Sequence, residues 1–190
     1  MKDLFLINDR LANKISYYHV MLFLLSLPLD QFYSHLILAS LAMHTIIQFR
    51  KVSAKPLLSW HTVVLQSVFW LTLVSTVYTI NLKQSILEWA LYLPILLLPL
   101  ICCFNPLDLK KYRSRLFLAF TIGCTATIIY LYFDAIATIR HYHLPWSAML
   151  SHAFTNHNFS EPIAMHATFL SLQIALALIY LLSRLIGEKL

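Results

Sequence analysis

Charge is what this sequence has least of. Asp, Glu, Lys and Arg make up only 12% of its 190 residues, against roughly 25% in a soluble domain. With that share halved, too little polar surface is left to cover a water-soluble globule. Cysteine is scarce as well: Cys102, Cys103 and Cys124 all lie inside apolar blocks. They read there as small buried hydrophobes, and nothing suggests a disulfide framework or a zinc site. Glycine is limited to Gly123 and Gly187, so close approach of helices has to use other small residues too. No internal repeat or low-complexity segment stands out. The chain starts Met1-Lys2-Asp3-Leu4-Phe5 and turns polar again at Asn8-Asp9-Arg10. The first long apolar stretch is therefore expected to remain as an uncleaved signal-anchor.

Apolar residues are present in excess, at 59%, and they come in long blocks. Thr62 to Ile80 carries no charge and has about the roughly 20-residue length that crosses a bilayer. The fold class expected is all-α: a polytopic transmembrane helical bundle of about six spans, forming one membrane domain over residues 1–190. The spans are placed at about 15–29, 34–49, 60–80, 85–104, 115–138 and 163–185. Pro28-Leu29-Asp30 ends the first, and Arg50-Lys51 the second. Pro94 and Pro99 fall inside the fourth, where each removes a backbone donor and favours a kink. Residues 139–162 form the one long polar connection, with room for a short surface helix.

The net charge of +6 does not mark a nucleic-acid binder, because the cations form no single face or arm. They sit in short connections between apolar blocks. Of the 14 Lys and Arg, all but Lys83 and Arg140 fall in alternate connections on one side. Lysine and arginine are retained in the cytoplasm. Both termini are therefore expected there, with 139–162 outside. Small residues recur every four positions at Ala119, Gly123 and Thr127, and at Ala167, Ser171 and Ala175. Such stripes let helix backbones approach, and they also arise by chance in alanine-rich segments.

Ionisable groups within apolar spans are functional candidates because burying them in lipid is costly. Glu88 and Asp134 are the two that stand out. Lys83, Arg140, Glu161 and His166 are expected at similar depth, so the six would form an outward-facing polar cluster. The structural alternative is that Glu88 and Asp134 pair with Lys83 and Arg140, or reach interfacial water. The outer connection holds His141, His143, His152 and His157, followed by His166. Without acidic or cysteine partners at ligand spacing, no metal ligand and no cofactor is assigned. His166 lies about one turn after Pro162, where a ligand head group could meet the bilayer. Its structural alternative is a histidine bonding a neighbouring backbone carbonyl where a helix begins.

The run Phe159-Ser160-Glu161-Pro162-Ile163-Ala164-Met165-His166-Ala167-Thr168-Phe169-Leu170-Ser171-Leu172 resembles a stretch of the O-antigen ligase and O-antigen polymerase superfamily of bacterial membrane proteins. There a helix often begins histidine, proline, threonine, aromatic, any residue, serine. His166, Thr168, Phe169 and Ser171 match, while Ala167 departs from the usual proline. Tyr78-Thr79-Ile80-Asn81, Ser85 to Glu88, and Ile95-Leu96-Leu97-Leu98-Pro99-Leu100 look similar to an outer turn and the leucine-rich helix after it. In helix order the resemblance covers about residues 15 to 190.

The resemblance implies transfer of a glycan from undecaprenyl pyrophosphate to an acceptor sugar at the outer face of the bacterial inner membrane. That would place the chain in lipopolysaccharide or surface-polysaccharide biosynthesis. This glycosyl transfer needs no metal. It needs cations for the departing pyrophosphate and a base for the acceptor hydroxyl. Relatives carry those groups on a large outer loop in a C-terminal half with no counterpart here. No catalytic residue is therefore carried over, and enzymatic activity stays open. The chain is expected to be an N-terminal portion, or a truncated relative working with a membrane-protein partner.

Two other classes remain open. A small transporter or channel subunit would use Glu88 and Asp134 as ion sites, and would show uptake in proteoliposomes that is lost in Glu88→Gln. A non-catalytic membrane scaffold would co-purify with a partner and tolerate substitution of Glu88, Asp134 and His166.

Overall fold

Helix boundaries follow local capping and backbone chemistry more closely than they follow hydropathy. The computed structural model describes residues 6–48, 55–155 and 157–187. The expectations placed on the first five residues, on Phe49, Arg50 and Lys51, and on Glu188, Lys189 and Leu190 lie outside the described residues. Every regular element among the described residues is helical, and there are no strands.

Helix α1 spans Leu11–Ser26 and stops just before Leu27-Pro28, as the restricted residue ahead of a proline requires. Helix α2 spans Gln31–Ile47. At its start, Asp30 accepts a bond from the Phe32 amide at 2.8 Å. Helix α3 covers Trp60–Ser75 behind an Ser59 cap, shorter than the expected 60–80. Over its last turn the amides of Thr76, Val77 and Tyr78 bond three residues back. Thr72, Ser75 and Thr76 also turn their hydroxyls onto carbonyls of the preceding turn. Such hydroxyls compete with helix propagation.

Helix α4 spans Leu82–Phe104 and carries Pro94 and Pro99 within it. Asn81 accepts from the Gln84 amide at 3.2 Å to start it. Helix α5 is the longest at Leu109–His141, beyond the expected 115–138 at both ends. Lys110, Lys111, Arg113 and Arg115 end the apolar stretch but are good helix formers. Charge bounds the uncharged stretch here without ending the helix, and Tyr112 is buried among the cations. Helix α6 spans Ala167–Ile186. It starts four residues later than the expected 163, because Ala164 takes a left-handed conformation at φ 50. That conformation closes the preceding turn.

α4, α5 and α6 are long and apolar enough to cross a membrane. Leu109–His141 has 44% of its apolar window buried, against 6% for Leu82–Phe104 and 11% for Ala167–Ile186. An apolar surface left this bare in water would drive association, so these helices mark a membrane-type chain. α1, α2 and α3 have 16, 17 and 16 residues.

Contacts divide the chain into two compact units. The first draws on Met1–Asn8, Tyr18–Ile37 and Lys110–Leu190, and the second on Asp9–Tyr17 and Leu38–Leu109. In the second, α3 packs along α4, and Trp89 Nε1 donates to Thr76 Oγ1 at 3.0 Å. Asn105 Nδ2 donates to Thr45 Oγ1 at 2.9 Å.

In the first unit, α5 is the centre. Its stripe Ala119, Gly123 and Thr127 is buried, and a Cβ on Gly123 would come within 3.0 Å of the Leu25 carbonyl oxygen. The corresponding stripe of α6 is not used in this way, since Ser171 and Ala175 are exposed. α6 instead turns Leu170 and Ala177 inward. Ala177 packs with Phe120 and Cys124, and Leu170 with Leu131, Ile163 and Met165. Cys124 is buried as expected, whereas Cys102 is exposed and Cys103 half-buried. The latter two lie on α4, the least covered of the long helices.

Candidate functional site

The six candidate residues divide between the two units. Lys83 and Glu88 belong to the second, on the first two turns of α4, with Lys83 exposed and Glu88 half-buried. Asp134, Arg140, Glu161 and His166 belong to the first. No ion pair joins Glu88 to Lys83 or Asp134 to Arg140 among the described residues. Helix geometry accounts for this. The two spacings are five and six residues, and only residues three or four apart stand together on a helix surface.

The first unit does gather three of its four candidates. Where α5 ends, the chain leaves through His143 at φ 53 and passes through short turns at Trp146–Leu150 and His152–Phe154. A single helical turn, His157–Ser160, follows, and then a tight turn, Glu161–Ile163. Asn158 Nδ2 donates to the His152 carbonyl at 2.8 Å, which ties the two halves of this connection together. Met165 and Ile163 anchor it in the Leu131 cluster. The connection therefore folds back over the end of α5.

Three cavities open here. One of about 780 Å³ is lined largely by apolar and aromatic side chains, including Tyr132, Met149, Phe154 and Phe159, with Thr168 and Ser171 from the first turns of α6. A second, about 580 Å³, is lined by His157, Asn158, Glu161 and His166. In the third, about 330 Å³, Asp134 and Glu161 line one space with Asn158. Glu161 thus belongs to both polar cavities. Arg140, six residues past Asp134 and exposed, lines none of them.

His166 has a defined role in the backbone. It is the N-cap of α6, and its Nδ1 accepts from the Thr168 amide at 3.3 Å. The expected structural role was donation to a carbonyl, so the observed polarity is the reverse. An accepting Nδ1 leaves the proton of the neutral ring on Nε2. The side chain therefore offers a donor outward while its other nitrogen starts a helix. Its ring lies 4.2 Å from that of His157, centroid to centroid, and 6.0 Å from that of Phe169.

His157 and Asn158 were not singled out by sequence reasoning. The histidine-rich composition of 141–157 was a signal, but nothing in it distinguished the one histidine that meets His166. Chemically, the site combines imidazole and amide donors, carboxylate acceptors and an adjoining apolar hollow. Hydroxyl-rich or amphiphilic ligands suit such a surface. No lysine or arginine lines these three cavities. No group of three or more His, Cys, Asp or Glu stands close enough to hold a metal ion among the described residues. No family model matches this chain, and no curated protein or solved structure does.

Proposed function

We propose that this chain is a membrane portion of a machine of the O-antigen ligase and polymerase type, handling lipid-linked glycan during bacterial surface-polysaccharide synthesis. In this reading α1, α2 and α3 also cross the bilayer, making about six spans. Both termini are cytoplasmic, and residues 139–162 lie outside the inner membrane. A helix of 16 residues is about 24 Å long. It spans a hydrocarbon core of about 30 Å with local thinning and with capping turns at the interfaces.

The observation that carries the proposal is the start of α6. The run His166, Thr168, Phe169, Ser171 matches the family pattern, and it borders both the polar cavity and the larger apolar one. A polyprenyl chain suits the apolar hollow, and sugar hydroxyls suit Asn158, Glu161 and His166. Cations for pyrophosphate are not supplied by these cavities. The reading therefore needs further groups, from Lys83, Arg140 or a membrane partner.

The test uses a photoreactive undecaprenyl-pyrophosphate-linked glycan with the full chain in nanodiscs. Crosslinks are expected within 149–171, competed by unlabelled lipid-linked glycan and reduced at least tenfold by Glu161→Gln with His166→Asn. Crosslinking spread evenly along the helices, or unchanged by the double substitution, would remove the basis for this function. In cells, deletion of the gene is expected to alter surface polysaccharide.

A further inference from the structure

The largest cavity of the first unit, about 780 Å³, has a floor and a roof of different character. The floor comes from α5 and α6, through Tyr132, Ala135 and Ile174. The roof comes from the connection between those helices, through Met149, Leu150 and Phe154. Apolar surface bared to water is unfavourable, so side chains over an empty hollow tend to close it. Entry of a bulky ligand then requires them to move.

The roof segment, 144–155, is weakly held. None of its residues is buried. Its bonds close short turns within itself. The Ala148, Ser151 and Phe154 amides donate to the Pro145, Ala148 and Ser151 carbonyls, and Thr155 Oγ1 donates to the Ser151 carbonyl at 3.0 Å. Among the described residues, one hydrogen bond ties 145–155 to anything outside it. That bond runs from Asn158 Nδ2 to the His152 carbonyl, at 2.8 Å. Segments with few buried contacts and exposed backbone bonds open at low free energy.

The segment also begins at a defined pivot. α5 ends with His143 in the left-handed region at φ 53, and the Leu144 amide reaches back to the Ile139 carbonyl at 3.0 Å. The rigid helix therefore stops at His143, and hinges are commonly such element-terminal residues.

We propose that residues 144–155 form a flap that opens about His143 to admit an apolar ligand to the cavity beneath, with the Asn158 side chain as its latch. This goes beyond the glycan reading, because it concerns access to the cavity and holds for any apolar occupant.

Ala135 supplies the readout. It lies under Phe154, lining two of the cavities with it, and is only 3% exposed. Ala135→Cys is placed in a Cys102→Ala, Cys103→Ala background that keeps Cys124, which is buried between α5 and α6 beside Phe120 and Ala177. The full chain in nanodiscs is treated with N-cyclohexylmaleimide, an apolar probe, and the labelling rate of each thiol is read by mass spectrometry. Asn158→Ala is expected to raise the rate at position 135 about fivefold, the population change that goes with one hydrogen bond. The rate at Cys124 stays unchanged. Asn158→Asp, nearly the same shape but without the donor, gives the same result and carries the test if the alanine variant is not recovered. The proposal is overturned if labelling at position 135 is unmoved by both substitutions. It is also overturned if Cys124 accelerates in parallel, which marks general loosening, or if Asn158→Asp keeps the native rate. No glycan enters this measurement, so its failure leaves the proposed function standing, and the converse holds.

Discussion

His157 and His166 meet ring to ring, their centroids 4.2 Å apart and their planes at 63°, across the turn that begins α6. Only one of the two carries a backbone duty, because His166 Nδ1 accepts the Thr168 amide. That division separates structure from ligand contact experimentally. His166→Ala removes a cap, and loss of a capping side chain costs about 1 kcal/mol. His166→Asn keeps a capping acceptor and restores most of that loss. Thermal melts in detergent are expected to rank the native protein and His166→Asn together, above His166→Ala. If capture of lipid-linked glycan follows this same order, His166 acts through the helix start rather than as a ligand contact.

Gly123 is the tightest point of the helix packing in the first unit. A methyl group there meets the Leu25 carbonyl oxygen at 3.0 Å and its Cα at 3.2 Å. Backbone cannot swing aside as a flexible side chain does. Gly123→Ala is therefore expected to destabilise the chain by about 1–3 kcal/mol, the usual cost of overpacking, despite alanine's better helix propensity. Gly123→Leu should prevent recovery of folded protein. A melting temperature for Gly123→Ala at or above that of the native protein would show that α1 and α5 do not approach this closely.

Gln173 bonds α6 to the end of α1, with Nε2 donating to the Leu27 carbonyl at 3.1 Å. Its Oε1 is buried without a hydrogen-bond partner among the described residues. A buried acceptor left unpaired offsets much of what the amide donor contributes. Gln173→Met, which gives up both polar atoms, is expected to stay within about 1 kcal/mol of the native stability. Gln173→Glu brings carboxylate oxygen toward the Leu27 carbonyl and should cost more, since a buried unpaired charge is expensive. Chemical denaturation of the two variants side by side checks the order, and a more stable Gln173→Glu would contradict the assigned contact.

The helical class and the apolar helices were legible because hydrophobic blocks with few charges leave little else to form. Helix ends were less so. The end of α3 is set by back-bonding hydroxyls of Thr72, Ser75 and Thr76, whose residue types alone also suit a spanning helix. The start of α6 depends on Ala164 adopting positive φ, which alanine rarely signals. Asp134 was expected from the cost of an ionisable group near lipid, and Glu161 and His166 from their similar depth; the three line two neighbouring cavities. His157 and Asn158 emerge only once the 143–163 connection folds back, a tertiary event with no periodicity to betray it. Arg140 was placed with the others by depth, but six residues of helix rotate it away from Asp134.

Orientation is the remaining expectation with a direct readout. With about six spans, as proposed, one side would hold nearly all the lysine and arginine, and retention of cations in the cytoplasm would then assign every loop. Replacing Cys102, Cys103 and Cys124 by alanine gives a background for single new thiols. Ser147→Cys, in the turn Trp146–Leu150, is exposed, and a membrane-impermeant maleimide should label it in intact cells. Lys111→Cys, exposed in the first turn of α5, should react only after the membrane is opened. Labelling of both sites in intact cells, or of Lys111→Cys alone, would reverse or break the topology. The site around His166 would then face the wrong compartment for transfer of an exported glycan.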